Sequence, residues 1–165
     1  ITILFLDLIL ILSLYSIYYL SDKNQMSFNI LLWVIILVVC SDVGGYVFGK
    51  TFKWKKLTKI SPKKTLSGSL GSFLFSLLSI FIANTTLPQH ELALNFIKPK
   101  YFFLAIIFSL VAQTGDLIIS YFKRLEKIKD TGKLLPGHGG IFDRIDGLAF
   151  VLILTLFLCY FKIIP

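Results

Sequence analysis

Apolar residues run along this chain in blocks of bilayer length, separated by short stretches that hold most of the charge. About 20 largely apolar residues are needed for a helix to cross a hydrocarbon core. Five blocks meet that requirement and predict helical spans near 1–20, 28–49, 66–83, 101–122 and 145–164. The first is broken only by Asp7 and small hydroxyls. The second opens as ILLWVIILVVC and ends in SDVGGYVFG. The third is rich in Ser and Gly yet uncharged. The fourth runs YFFLAIIFSLVA before meeting Gln113, Gly115 and Asp116, and the fifth is apolar after Asp146. The pattern predicts an all-α integral membrane protein, a polytopic helical bundle with about five transmembrane helices in a single domain over 1–165.

Composition agrees. Of the 165 residues 56% are apolar and 16% charged, against about 45–50% and 25% in soluble domains. Mean hydropathy is +0.81. Disordered, collagen-like and coiled-coil chains are excluded, and an ordinary soluble domain is disfavoured. Cys40 and Cys159 lie inside apolar runs without a CxxC pair, which supports neither a disulfide framework nor a zinc site. The chain opens on Ile1 with no basic n-region and no small-residue cleavage site. A fragment lacking upstream sequence is the expectation.

The net charge of +8 fits nucleic-acid binding, positive-inside topology or a phosphorylated substrate. Distribution decides between them. All but four of the 17 basic residues fall in the predicted loops 50–65 and 123–144. Two crossings separate these loops, so both lie on one side, and the positive-inside bias makes that side cytoplasmic. Segments 21–27 and 84–100 and the C-terminus then face outward, and the start of the chain faces inward. A nucleic-acid module would carry its basic face on a soluble fold, so no nucleic-acid partner is expected.

Four of the nine acids, Asp42, Asp116, Asp143 and Asp146, lie within or at the ends of spans. A charge at bilayer depth costs about 2.5–3.5 kcal/mol on insertion scales. Asp42 fits a helix cap or an interfacial Asp–Lys pair as readily as a functional group. Asp143 and Asp146 are spaced i, i+3, on one helical face. Such a pair repels unless a cation lies between, and Asp116 could add a third oxygen. Oxygen-only ligands suit Mg²⁺, which takes substrate phosphates as further ligands.

The surroundings favour phosphate. Lys123, Arg124, Lys127, Lys129 and Arg144 are close in sequence, and Gly137, Gly139 and Gly140 flank His138. Glycines let backbone N–H groups approach a phosphate. Ser61, Lys63, Lys64 and Thr65 add hydroxyls and cations before the third span. Each feature alone has a plain reading as a solvated face or a turn; their convergence on one side points to a site.

Residues 44–51, GGYVFGKT, match the P-loop pattern. The stretch after them, TFKWKKLTKISP, is too basic for the P-loop helix and meets Pro62. Those glycines are therefore expected to serve close helix packing. His90 and His138 form no HExxH motif.

The stretch GDLIISYFKRLEKIKDTGKLLPGHGGIFDRID at 115–146 closely resembles the signature of the phosphatidate cytidylyltransferases, also called CDP-diacylglycerol synthases. The matching positions are Ser120, Lys123, Arg124, Lys129, Asp130, Gly132, Pro136, His138, Gly139, Gly140, Asp143, Arg144 and Asp146. SDVGGYVFGK and ISPKKT upstream resemble the same family, so the likeness covers about residues 40–150. Members often carry an acid at the position of Ile119 and a Glu at that of Ser67, so no acidic role carries over there. Their chains are longer, with further N-terminal spans.

The resemblance implies an inner-membrane enzyme with its active site facing the cytoplasm, commonly a homodimer among membrane lipids. It would use CTP and phosphatidic acid to make CDP-diacylglycerol and pyrophosphate. It implies Mg²⁺ at Asp116, Asp143 and Asp146, with Lys123 beside them as a further catalytic residue, and a second, monovalent cation. On this reading Lys123, Arg124, Lys129 and Arg144 neutralise phosphate. Ser61, Lys63, Lys64, Thr65, Asp130, His138, Gly139 and Gly140 contact nucleotide or lipid phosphate. Two rivals share some of these features. A cation or proton transporter also carries intramembrane acids, but has no use for the HGG loop or the dense cationic segment. A polyprenol kinase or an archaeal-lipid cytidylyltransferase would also use CTP.

Overall fold

A computed structural model of the chain describes residues 2–58, 61, 64–87, 96–126 and 142–165, with side chains from Leu4 and, in the last stretch, from Ile145. Among the described residues five helices run in order: α1 (Thr2–Lys23), α2 (Gln25–Phe52), α3 (Leu66–Thr86), α4 (Pro99–Leu125) and α5 (Phe142–Tyr160). The all-α polytopic expectation holds. Helices α1 to α4 are long and apolar enough to cross a membrane, and α5 contributes a shorter apolar stretch, Ile145–Tyr160.

The helix boundaries come from local chemistry. The segment 21–27, expected as a loop, is almost entirely helical. Asn24 alone breaks α1 from α2, and its side chain accepts a 2.8 Å bond from the Ser27 amide, an N-cap that satisfies one orphan donor. Helix α2 ends where Lys53 turns left-handed at φ 46. Thr65 caps α3 by accepting from the Gly68 amide at 3.1 Å. Pro99 opens α4, where a missing N–H costs nothing. The helix then continues to Leu125, so Lys123 and Arg124 stand in its last turn rather than in a loop.

The helices alternate in direction. Trp33 of α2 meets Tyr101 and Phe108 of α4 at centroid distances of 5.4 and 5.7 Å, so the N-terminal halves of these two helices share one end. Trp33, Tyr101, Phe108 and Phe96 are fully or almost fully buried there. Phe5 of α1 stacks 4.8 Å from Phe122 of α4 at the opposite end. That second end collects the close of α2 and α4 and the start of α1, α3 and α5.

Helices α2 and α3 cross at backbone contact. A Cβ on Gly44 would meet the Gly71 carbonyl and Phe75, and one on Gly71 would meet the Gly44 carbonyl and Phe48. Small residues permit this approach in membranes. The P-loop match at 44–51 is therefore a helix-packing surface inside α2, as its composition predicts.

Candidate active site

Where α4 and α5 approach, the residues in contact are glycines. A Cβ on Gly147 would lie 2.9 Å from the Ala112 carbonyl, and one on Gly115 would lie 2.6 Å from the Phe150 ring. Each glycine is the chain neighbour of an acid, Asp116 and Asp146. The two carboxyl groups consequently come within hydrogen-bonding reach of each other.

Both acids are held by other groups. Lys64, just ahead of α3, sets its ammonium 2.5 Å from one Asp116 oxygen and donates at 3.2 Å to the Gln113 carbonyl. Ser120 donates to the other Asp116 oxygen at 3.3 Å. The Gly147 amide donates to Asp146 at 2.8 Å, and Lys123 is close enough for its charge to act on the same carboxylate. Lys123 and Asp146 are both buried. Such partners offset the cost of carrying a carboxylate at membrane depth.

Gln113, Asp116, Ser120 and Lys123 recur at intervals of three, four and three, one face of α4. Gln113 joins three helices. Its side-chain oxygen accepts from Ser69 of α3 at 2.5 Å, and its amide donates to Ser109 at 3.3 Å. Ser109 in turn shares a 3.0 Å bond with Ser41 of α2. The spacing alone could have revealed this residue, which the sequence presents only as an interruption of a span.

Asp116, Asp146, Gln113, Ser69 and Lys64 line a pocket of about 410 Å³ whose walls come from α2, α3, α4 and α5 together with Leu57 and Thr65. Asp116 and Asp146 stand on one side, and Asp42 and Tyr46 of α2 also face it. Asp42 is not a helix cap, since α2 continues ten residues beyond it.

Of the other predicted residues, Thr65 lines the pocket while capping α3. Ser61 shapes the turn that delivers Lys64: its amide donates to Thr58 Oγ1 and its carbonyl accepts from the Lys64 amide. Arg124 is exposed, a helical step around from Lys123. Asp143 and Arg144 lie in the first turn of α5, with side chains outside the described part. Lys63, Lys129, Asp130, His138, Gly139 and Gly140 lie outside the described residues. Among the described residues no third acid, His or Cys lies close enough to Asp116 and Asp146 to complete a metal-binding group.

A helical bundle of apolar spans with a charged pocket between them defines an integral membrane protein with an intramembrane polar site. The sequence pattern of the cytidylyltransferase family matches residues 1–162, and the chain belongs to that family. It is 42% identical over 125 residues to the phosphatidate cytidylyltransferase of Helicobacter pylori, covering 73% of this chain and 43% of that one. It is 41% identical over 140 residues to that of Rickettsia conorii, with coverages of 79% and 58%. To that of Staphylococcus saprophyticus it is 36% identical over 135 residues, with coverages of 81% and 50%. The chain thus spans about half the length of the curated relatives it matches.

Proposed function

We propose that this chain carries the reaction centre of a phosphatidate cytidylyltransferase, which joins CTP and phosphatidic acid into CDP-diacylglycerol and releases pyrophosphate. The observation that carries the reading is the meeting of Asp116, Asp146 and Lys64 in one pocket at the end of the bundle that also holds Lys123. The names of the relatives support the same substrates. The basic segments support a cytoplasmic-facing site in the inner membrane.

The lipid phosphate is an anion near neutral pH, so its oxygen can attack the α-phosphorus of CTP without a strong general base. Pyrophosphate leaves as the new bond to the CMP phosphorus forms. The obstacle is electrostatic, because two polyanions must meet. Lys64 in the pocket and Lys123 beside Asp146 are cations suited to that problem, since a charge already held in place needs no reorganisation as the reaction proceeds. Ser120 and the Gly147 amide hold the acids in place.

Two carboxylates this close repel when both are ionised, and their oxygens fit a divalent cation, for which Mg²⁺ is the expected ion. Asp116 and Asp146 would hold it, with Asp143 as the proposed third ligand. When bound, it supplies charge neutralisation and orientation for the phosphate oxygens. The two α4–α5 carboxylates keep their spacing through the glycine contacts beside them.

The test uses the natural protein in its own membranes, supplied with phosphatidic acid and CTP labelled at either the α- or the γ-phosphate. Label from the α-position should enter lipid while γ-label leaves in pyrophosphate. Transfer of γ-label into lipid would identify a kinase instead, and transfer of neither would remove the proposed activity.

A further inference from the structure

The charge of Lys64 is useful only while its ammonium stays at Asp116, and a long flexible stem does not secure that. The backbone that launches it has to be fixed against α4. The main chain of Lys64 is held on other sides. Its carbonyl accepts from the Leu57 amide at 2.8 Å, and its amide donates to the Ser61 carbonyl at 3.1 Å. Thr65 follows directly as the cap of α3, and α3 is pressed against α2 at Gly44 and Gly71. None of these contacts reaches α4, the helix that carries Asp116.

Gln113 closes that gap. Its side-chain oxygen accepts from Ser69, in the first turn of α3, at 2.5 Å, and its main-chain oxygen accepts from the Lys64 ammonium at 3.2 Å. Both bonds therefore end on one residue of α4, a single turn before Asp116. The side chain is oriented from its other end. Its nitrogen donates to Ser109 at 3.3 Å, and Ser109 is tied to Ser41 of α2 by a 3.0 Å bond. With the nitrogen committed to Ser109, the oxygen is the atom presented to Ser69. The rings of Phe81 and Phe102 also join α3 to α4, but about 18 Å further along α3 than Ser69, at 1.5 Å per residue. Apolar helices in lipid have no hydrophobic drive to hold their register, whereas interhelical hydrogen bonds can set it. We propose that Gln113 is a positioning residue: through Ser69 it registers the start of α3 against α4 and so keeps the Lys64 ammonium at Asp116. The inference rests on the cytidylyltransferase reading and adds to it a residue that acts through another rather than on substrate.

The experiment is a double-mutant cycle in native membranes, reading transfer of α-label from CTP into lipid. Gln113→Leu and Ser69→Ala are each made in the natural protein and in Lys64→Met. In the natural protein each should lower kcat by about tenfold, as displacement of a reacting or charge-bearing group does, with the KM for CTP changed by less than about twofold. In Lys64→Met neither should cost more than about a further twofold, because the group being positioned is gone. Losses as large in that background as in the natural protein overturn the proposal, since poorer folding and direct contact with substrate both persist without Lys64. A loss carried by KM rather than kcat marks contact with CTP and also overturns it, as does natural activity in Ser69→Ala. Ser69→Ala removes a single hydroxyl from a half-buried position, so the cycle stands on that variant where Gln113→Leu fails to fold. Failure of the underlying reading is separately visible, because the unaltered protein would then transfer no CMP to lipid; the positioning role would fall with it.

Discussion

Lys64 is the residue on which the pocket turns. It reaches across from the start of α3 to the Asp116 carboxylate and the Gln113 carbonyl on α4, so it ties two helices and, under the proposed function, supplies a charge for phosphate. Lys64→Met, which keeps the stem and removes the ammonium, should cut turnover by about 100-fold, in the range seen for loss of one preorganised charge donor. Lys56→Met, on an exposed lysine of the same segment, should leave turnover within about twofold. Equal losses would show that general surface charge, not the Asp116 contact, is what matters. Asp146→Asn should also abolish turnover, by about 100-fold or more, while the protein still inserts and melts near its normal temperature. Activity close to normal would remove Asp146 from the reaction centre. Much of this is legible in the sequence, because acids in apolar runs are conspicuous. The Lys64–Asp116 contact is not, since the partners are 52 positions apart and nothing local in either segment names the other. Asp42 misleads for a related reason: an acid in the last third of a span looks like an end, until the helix proves to continue to Phe52.

At the scale of elements, glycine decides which helices touch. Gly44 and Gly71 hold α2 against α3 through reciprocal backbone contacts. Gly71→Ala forces its methyl against the Gly44 carbonyl and Phe48, neither of which is the loose end of a flexible chain. Overpacking of this kind costs about 1–3 kcal/mol, so the variant should melt several degrees lower in detergent. Leu70→Ala, at an exposed neighbouring position, should melt within a degree or two of the unaltered protein. A Gly71→Ala protein with unchanged melting would mean the crossing is looser than described. Hydrophobic block length predicts all five helices, because span length is a matter of composition. It cannot give the ends. The break at Asn24 and the extension of α4 through Lys123 and Arg124 depend on capping and on cations in a final turn, where they complement the helix dipole.

At the scale of the whole molecule, the up-and-down course brings the close of α2 and α4, with Lys123 and Arg124, and the start of α3 and α5 to one end. With Cys40 and Cys159 changed to Ser, a thiol introduced as Lys56→Cys should react with a membrane-impermeant maleimide only in inside-out vesicles. One introduced as Ile97→Cys, at the other end of the bundle, should react only in right-side-out vesicles. The reverse pattern would put the pocket on the outer face. The resemblance at 115–146 names a chemistry, and the folded chain adds how four separate helices and a connecting segment build one charged recess. Because Gly115 and Gly147 each sit next to the acid they bring into place, the contact works as a fulcrum. Helices that tilt to suit a thinner or thicker bilayer pivot about that point, where displacement is smallest. The gap between the two acids is thereby insulated from changes in the thickness of the surrounding bilayer.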